Sequence, residues 1–229
     1  MTEEKEHTMN KDLTELVFIV DRSGSMGGLE SDTIGGINAT LAKNRALEGD
    51  ANVSIVLFDT TVDVIVDRKP IAEVADLTAK DYQVRGCTAL LDAVGDSIKH
   101  IKRVQGYMPD EYKAGRVIFV ITTDGLENAS SRYSYADVKK AIEARTEEGW
   151  EFIFLGANID AVGEAGRLGI NADRAATYLA DSEGSTVMYD AIAEATCSMR
   201  SAPQGMPISG NWKEKVERDT AKRGLFRRR

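Results

Sequence analysis

Short, continuous apolar runs of strand length alternate along this chain with longer segments of helical period. The clearest runs are Leu16–Val20, Val53–Phe58, Val117–Ile121 and Phe152–Leu155, which are rich in Val, Ile and Phe. Uninterrupted apolar runs of this length are typical of strands that helices cover on both faces, as in parallel sheets. The alternation therefore predicts an α/β fold with a mainly parallel sheet.

The segments between these runs carry apolar residues three or four positions apart, which places them on one face of a helix. Four such stripes are Ile34, Ile37 and Leu41; Leu90, Val94, Ile98 and Ile101; Tyr135, Val138 and Ile142; and Met188, Ile192, Ala195 and Met199. A further short helix fits between the run that ends at Leu155 and the next strand. We expect these helices to cover both faces of the sheet.

One connection is too short to hold a helix. Only residues 59–61 separate Val53–Phe58 from the apolar run Val62–Val66, so these two strands must form an antiparallel hairpin. A weaker run at Ala175–Leu179 adds a last strand. We therefore predict a doubly wound, Rossmann-like sheet of about six strands with one antiparallel edge strand.

Composition places this sheet in one folded domain. The chain has 229 residues, of which 42% are hydrophobic and 29% charged, as in globular proteins. We expect a domain over residues 13–200, preceded by a polar leader (1–12) and followed by a basic tail (201–229). Because Pro203, Gly205, Pro207 and Gly210 precede the charged segment, we expect the tail to be an appendage.

The charge is uneven along the chain and restricts the partners. The net charge is −8, with +5 in residues 201–229 and therefore −13 in residues 1–200. Nucleic-acid affinity comes mainly from Lys and Arg side chains that neutralise phosphates, so nucleic acid is not an expected partner of the body. A nucleic-acid-associated role through the tail stays an alternative.

The cysteines and the first residues bear on location. Cys87 and Cys197 have neither metal-ligand spacing nor the number needed for a disulfide framework, which favours a reducing compartment. The start of the chain lacks the apolar region of a signal peptide, and no run approaches the roughly 20 residues of a membrane span. We predict a cytoplasmic protein without a membrane partner, and we expect Cys87 to act as a small buried apolar residue rather than a redox group.

Oxygen-bearing side chains follow two of the predicted strands and precede one helix. Asp21, Ser23 and Ser25 follow the first strand, Asp124 follows Val117–Ile121, and Thr88 stands ahead of the second helix. In a doubly wound sheet, ligands bind at the carboxyl ends of the strands where the winding reverses. Carboxylate and hydroxyl oxygens suit a hard divalent cation such as Mg²⁺. A simpler interpretation is that the Asp and Ser residues only cap the next helix.

The order and spacing of these five residues resemble the metal-ion-dependent adhesion site of von Willebrand factor A (vWA) domains. The strand order and the hairpin fit the same family over about residues 13–200. The segment from Thr122-Thr123-Asp124-Gly125 through Glu127-Asn128 is similar to the sequences of compact bacterial or phage members. Cys87 departs from the pattern, since many members have glycine there. The resemblance implies coordination through the hydroxyls of Ser23, Ser25 and Thr88, with Asp21 and Asp124 acting largely through bound water.

The resemblance implies a binding module rather than an enzyme. Such a site would hold Mg²⁺ or Mn²⁺ and use the open coordination position to capture an exposed Asp or Glu of a partner protein. The alternative from another class is a metal-assisted phosphohydrolase. It lacks an evident base, because the only histidines are His7 and His100, and we expect His100 to form a surface pair with Asp96.

Other polar residues near the strand ends have ordinary interpretations. Asp59 is a candidate extra ligand, but we expect it to form the hairpin turn, one strand away from the ion. Asn158 and Asp160 either line the rim of the site or form a capping turn. The segment Gly24-Ser25-Met26-Gly27-Gly28 matches neither the dinucleotide-binding nor the P-loop pattern, so its glycines more simply allow close approach to the ion.

Overall fold

Six strands form one sheet, and all the predicted runs lie in it. The computed structural model describes residues 10–203 and 210–224. The strands are β1 (Asn10–Asp21), β2 (Asp50–Phe58), β3 (Val62–Pro70), β4 (Ala114–Thr123), β5 (Glu151–Ala157) and β6 (Ala175–Tyr178). The helices are α1 (Glu30–Arg45), α2 (Leu90–Tyr107), α3 (Tyr135–Glu147), α4 (Ala161–Arg167), α5 (Ser182–Ser201) and α6 (Glu214–Gly224).

The strand order is β3-β2-β1-β4-β5-β6, and only β3 runs antiparallel to its neighbour. This confirms the doubly wound α/β prediction and its antiparallel edge. The connections leave β1 and β4 in opposite directions across the sheet, so the winding reverses between these two central strands. The carboxyl ends of β1 and β4 therefore border the crevice in which such folds bind ligands.

Both faces of the sheet are buried, as the uninterrupted apolar runs indicate. In β1, Leu16, Phe18 and Val20 point to one face and Val17 and Ile19 to the other. Helices α1 and α5 cover the first face, and α2, α3 and α4 cover the second. The predicted helical stripes supply these contacts, which confirms their period.

The C-terminal segment differs from the expected appendage. Residues 210–224 form a 3-10 turn and α6, which pack against α5 and β6. Trp212 and Val216 are buried in the core on the first face of the sheet. Because these two apolar residues lie four positions apart, they place one face of the segment on the domain despite its basic composition.

The two edges of the sheet have different surroundings. At the β6 edge, Lys213 Nζ donates to the carbonyl oxygens of Ala172 and Ala175, and Thr220 Oγ1 donates to that of Thr177 at 2.8 Å. At the other edge, β3 pairs with β2 alone within the described residues, and it exposes Val64 and Ile65.

Part of the predicted polar leader belongs to the sheet. Residues 10–12 of the predicted leader belong to strand β1, and Asn10 N donates to Lys113 O at 3.0 Å. His7 lies outside the described residues. In the described ranges, no helix combines the length and the apolar character needed to cross a membrane.

Candidate metal centre

The first loop of the site follows β1 directly. Asp21 is fully buried at the end of this strand, and the turn folds back on it because Ser23 N donates to Asp21 Oδ1 at 2.7 Å. The hydroxyl of Ser23 lies 3.1 Å from that of Ser25. The turn therefore places one carboxylate and two hydroxyls within a few ångströms of each other.

The loop after β4 joins this turn at the switch point. Ser25 Oγ donates to Asp124 Oδ1 at 2.5 Å, across 99 residues of sequence. One residue earlier, Thr123 Oγ1 donates to Asp21 Oδ2 at 2.6 Å, which the parallel pairing of β1 with β4 makes possible. Two loops that are distant in sequence thus bring both predicted aspartates into one cluster.

Thr88 reaches the same cluster from a third loop. A Cβ on Gly125 would lie 3.1 Å from Thr88 Oγ1 and 3.6 Å from Ser25 Oγ, so these two hydroxyls flank the glycine next to Asp124. The absence of a side chain at Gly125 permits this approach. The structure therefore brings all five predicted site residues together at the carboxyl edge of the sheet.

The electrostatics of the cluster favour a cation. Burial raises the pKa of Asp21, opposed by the hydrogen bonds from Thr123 and Ser23, and the charge of Asp124 raises it further. Burial likewise raises the pKa of Asp124. Among the described residues, no lysine or arginine pairs with either carboxylate. A bound divalent cation would supply the missing positive charge.

The donor set fits a hard divalent cation. Two carboxylates and three hydroxyls offer only oxygen atoms, which Mg²⁺ and Mn²⁺ prefer. In the described ranges, no three His, Cys, Asp or Glu side chains group as a metal cluster, and this site has only two such residues because hydroxyls provide the rest. The residues that would hold the ion are Asp21, Ser23, Ser25, Thr88 and Asp124, and their role as ligands stays a prediction.

Known structures share this architecture. A von Willebrand factor type A protein from Catenulispora acidiphila is similar at a TM-score of 0.54 and 17% identity, over 83% of this chain and 43% of that one. The vWF domain of the type V pili tip protein Mfa5 from Porphyromonas gingivalis is similar at 0.53 and 11%, over 86% and 98%. The chain has a vWA-type fold.

A third similar structure is described with a metal-occupied motif. Proximal thread matrix protein 1 from the mussel byssus, described with a zinc-occupied MIDAS motif, has a TM-score of 0.55 and 14% identity, over 82% of this chain and 47% of that one. This vWA-type chain therefore spans about half of that protein. No family model and no curated protein matches the sequence. At these identities the likeness establishes the fold and not the activity.

Two other polar predictions have clear outcomes in the vWA-type fold. Asp59 forms the hairpin turn as predicted, because its Oδ1 accepts hydrogen bonds from Thr61 N at 2.7 Å and Thr61 Oγ1 at 3.0 Å. Asp160 caps α4 by accepting from Gly163 N at 2.9 Å, which confirms the capping interpretation for that residue.

Two side predictions were wrong. His100 pairs with Asp67 of β3 through Nε2 at 2.8 Å, and not with Asp96, because Arg132 and Tyr133 bind the Asp96 carboxylate. Cys87 is exposed rather than buried, since its loop passes over the surface ahead of α2. Both cysteines are free thiols.

Two residues of the loop after β4 that the sequence did not indicate hold the site loops in place. Asn128 Oδ1 accepts from Thr88 N at 2.9 Å, and Asn128 N donates back to Thr88 O at 3.0 Å. Glu127 accepts from Leu91 N at 2.9 Å and so ties the loop after β4 to α2. The sequence signal for these contacts was the resemblance of the segment through Glu127-Asn128 to vWA domains.

Proposed function

We propose that this vWA-type domain binds Mg²⁺ or Mn²⁺ through Asp21, Ser23, Ser25, Thr88 and Asp124, and with the ion captures an acidic side chain of a partner protein. The observation that carries the proposal is the convergence of three hydroxyl side chains and two carboxylates from three loops, where neither carboxylate pairs with a basic side chain of the described residues. The zinc-occupied MIDAS motif of the mussel protein supports it by analogy.

The charge balance of the five residues explains why a partner carboxylate would bind. When bound, the ion supplies positive charge and an open coordination position. The chain offers two carboxylates and three neutral hydroxyls, so at most two negative charges from the protein face a divalent ion. A further carboxylate from outside then gains more than it would at a site built only of acidic ligands.

We infer a binding role rather than hydrolysis because no histidine of the described residues lies in the cluster to act as a base. His100 is bound to Asp67 at the β3 edge, away from the switch point. With Mg²⁺ or Mn²⁺, the purified chain should not hydrolyse general phosphate esters above background. Metal-dependent hydrolysis that disappears in Asp21→Asn would favour a phosphohydrolase instead. A cytoplasmic location and a bacterial or phage origin are part of the proposal and stay predictions.

Metal should stabilise a fold that does not require it. A core of this size buries enough apolar surface without an ion. With free Mn²⁺ at ~100 times its dissociation constant, we expect about 2.7 kcal/mol of added stability, which corresponds to a rise of roughly 5–10 °C in the unfolding midpoint. Thermal unfolding with Mn²⁺ and with chelator measures this. Complete unfolding on chelation would contradict a metal-independent core.

Capture of a carboxylate can be tested with paired peptides. An array would present peptides containing Asp or Glu, each beside its Asn or Gln counterpart. We expect Mg²⁺-dependent binding to some acidic peptides, loss of binding with the amide counterparts or chelator, and at least about tenfold weaker binding in Thr88→Ala. Thr186→Ala, an exposed threonine of α5, is the matched control. Binding that persists in chelator would contradict the proposal.

A further inference from the structure

The loop that carries Thr88 has no regular secondary structure. Residues 74–89 form neither helix nor strand, and Arg85, Gly86 and Cys87 are exposed. Val74, Leu77 and Tyr82 anchor the first part of this loop in the core, but the exposed part at 85–87 has no such anchor, so its order must come from specific contacts. The position of Thr88 relative to the other site residues therefore depends on what binds this loop.

The hairpin turn between β2 and β3 binds it at three points. Ala89 N donates to Asp59 O at 2.8 Å, Cys87 N donates to Thr60 Oγ1 at 2.9 Å, and Arg85 Nε donates to Asp59 Oδ2 at 2.8 Å. All three bonds fall within five residues of the loop. The turn therefore holds the loop on both sides of Thr88.

The same carboxylate also binds the first loop of the site. Arg22, which lies between Asp21 and Ser23, donates from Nε to Asp59 Oδ2 at 2.7 Å. This pair is buried, with side-chain exposures of 7% for Arg22 and 3% for Asp59. Asp63 accepts from both arginines and closes a network of two acids and two bases. Asp59 is thus the common partner of two metal-site loops.

Asp59 is well suited to this role as a charged group. Burial alone would raise its pKa, but hydrogen bonds from Arg85 and Thr61 and the charge of Arg22 outweigh burial and lower the pKa. Its Oδ1 accepts two bonds from Thr61, and its Oδ2 accepts two guanidinium bonds. With both oxygens engaged by donors, Asp59 acts through the loops and not as a further ligand.

The backbone of the loop approaches the turn closely. Gly86 has a φ of +71°, and a Cβ there would lie 2.7 Å from Thr60 Oγ1. Gly86 O in turn accepts from Gly24 N at 3.1 Å, and Arg85 N donates to Arg22 O at 2.8 Å. The Thr88 loop is therefore packed directly between the hairpin turn and the Asp21 turn.

We propose that Asp59 is a positioning residue that holds the Thr88 loop against the Asp21 turn through Arg85 and Arg22, so that the site is assembled before the ion arrives. This inference rests on the proposed function for its metal readout. Outer partners of metal ligands typically change affinity by 10–100-fold when removed. Preformed order in the loop lowers the conformational cost of binding the ion.

Arg85→Gln tests the exposed end of the network. Its side chain is 58% exposed, so we expect the full-length variant to remain folded. By calorimetry, Mn²⁺ affinity should fall about tenfold. Arg167→Gln is a matched control, because Arg167 is 56% exposed, also pairs with a buried carboxylate, Glu164, and contacts none of the five site residues. Its Mn²⁺ affinity should equal that of the unaltered chain.

A pair of variants tests the connection through Asp59. Asp59→Asn should weaken Mn²⁺ binding at least as much as Arg85→Gln and also lower the unfolding midpoint, since it leaves the guanidinium of Arg22 without its buried charge partner. Adding Arg85→Gln to Asp59→Asn should weaken Mn²⁺ binding by less than twofold more, because both changes break one network. Full additivity of the two losses would overturn the proposal.

Cys87 provides a readout of the loop that needs no metal. In a Cys197→Ser background, the exposed Cys87 thiol is the single site for maleimide. Without metal, Arg85→Gln should raise its labelling rate severalfold and Arg167→Gln should not. Unchanged labelling together with unchanged Mn²⁺ affinity in Arg85→Gln would overturn the positioning role. Absence of Mn²⁺ binding by the unaltered chain would overturn the proposed function, and the labelling rates would then decide whether Asp59 holds the loop.

Discussion

Asp124→Ala should bind Mn²⁺ at least ~100-fold more weakly than the unaltered chain. This loss is larger than that caused by removing most residues that only hydrogen-bond to a metal ligand. Asp124 supplies one of only two carboxylates in the cluster, and its Oδ1 accepts the hydroxyl of Ser25 at 2.5 Å. Its removal leaves a divalent ion facing one carboxylate and three neutral hydroxyls. Because Asp124 is half-buried and follows a strand end, the fold should persist. Calorimetric titration of the metal-free chain measures the affinity.

A second acid at the same edge of the sheet is the control. Asp160→Ala removes the carboxylate that caps α4, and loss of this cap should lower stability by about 1 kcal/mol. The variant should leave the Mn²⁺ affinity unchanged. Asp21→Ala should likewise lose at least ~100-fold in Mn²⁺ affinity, with an added cost in stability because the hydrogen bonds from Ser23 N and Thr123 Oγ1 to the Asp21 carboxylate are lost. Unchanged affinity in both Asp124→Ala and Asp21→Ala would refute the site assignment.

Trp212→Ala should lower the free energy of unfolding by about 3–5 kcal/mol. Trp212 is 7% exposed, packs in the core on the first face of the sheet, and donates from Nε1 to Asp173 O at 3.0 Å. Its loss removes a large apolar contact and leaves a cavity between the C-terminal segment and the domain. Denaturant unfolding, with the midpoint and slope compared to the unaltered chain, measures the change.

The matched control lies three residues further along the same segment. Lys215 pairs with Glu194 in an exposed ion pair, so Lys215→Ala should change stability by no more than about 0.5 kcal/mol. Equal and small effects of Trp212→Ala and Lys215→Ala would show that residues 210–224 contribute little to the folded domain.

The sheet was predictable because its evidence is local. Runs such as Leu16–Val20 are apolar on both faces, and this alone requires helices above and below. The three-residue connection at 59–61 leaves no room for a crossover, so chain geometry dictates the antiparallel edge. The C-terminal segment was harder, because Trp212 and Val216 are only two apolar residues among many charges.

The sequence predicted that the five candidate residues would lie together, but it did not predict the contacts that hold their loops. Asp21, Thr88 and Asp124 follow strands or precede a helix, so topology brings them to one edge. The partners of Asp59 could not be read in the same way, because Arg22 and Arg85 lie 37 and 26 residues away, and the chain offers many other arginines. Charge pairing at such separations depends on side-chain geometry that no local pattern encodes.

The unequal edges of the sheet differ in their openness to strand addition by another molecule. The side chains of Lys213 and Thr220 donate hydrogen bonds to backbone carbonyl oxygens of β6. The outer side of β3 pairs with no strand of the described residues. Growth of a fibre by strand addition needs a free edge at each end of every unit. Among the described residues, residues 210–224 cover the β6 edge, so joining through β3 alone would pair two molecules and leave no second open edge. The C-terminal segment therefore protects the β6 edge of the sheet from strand addition.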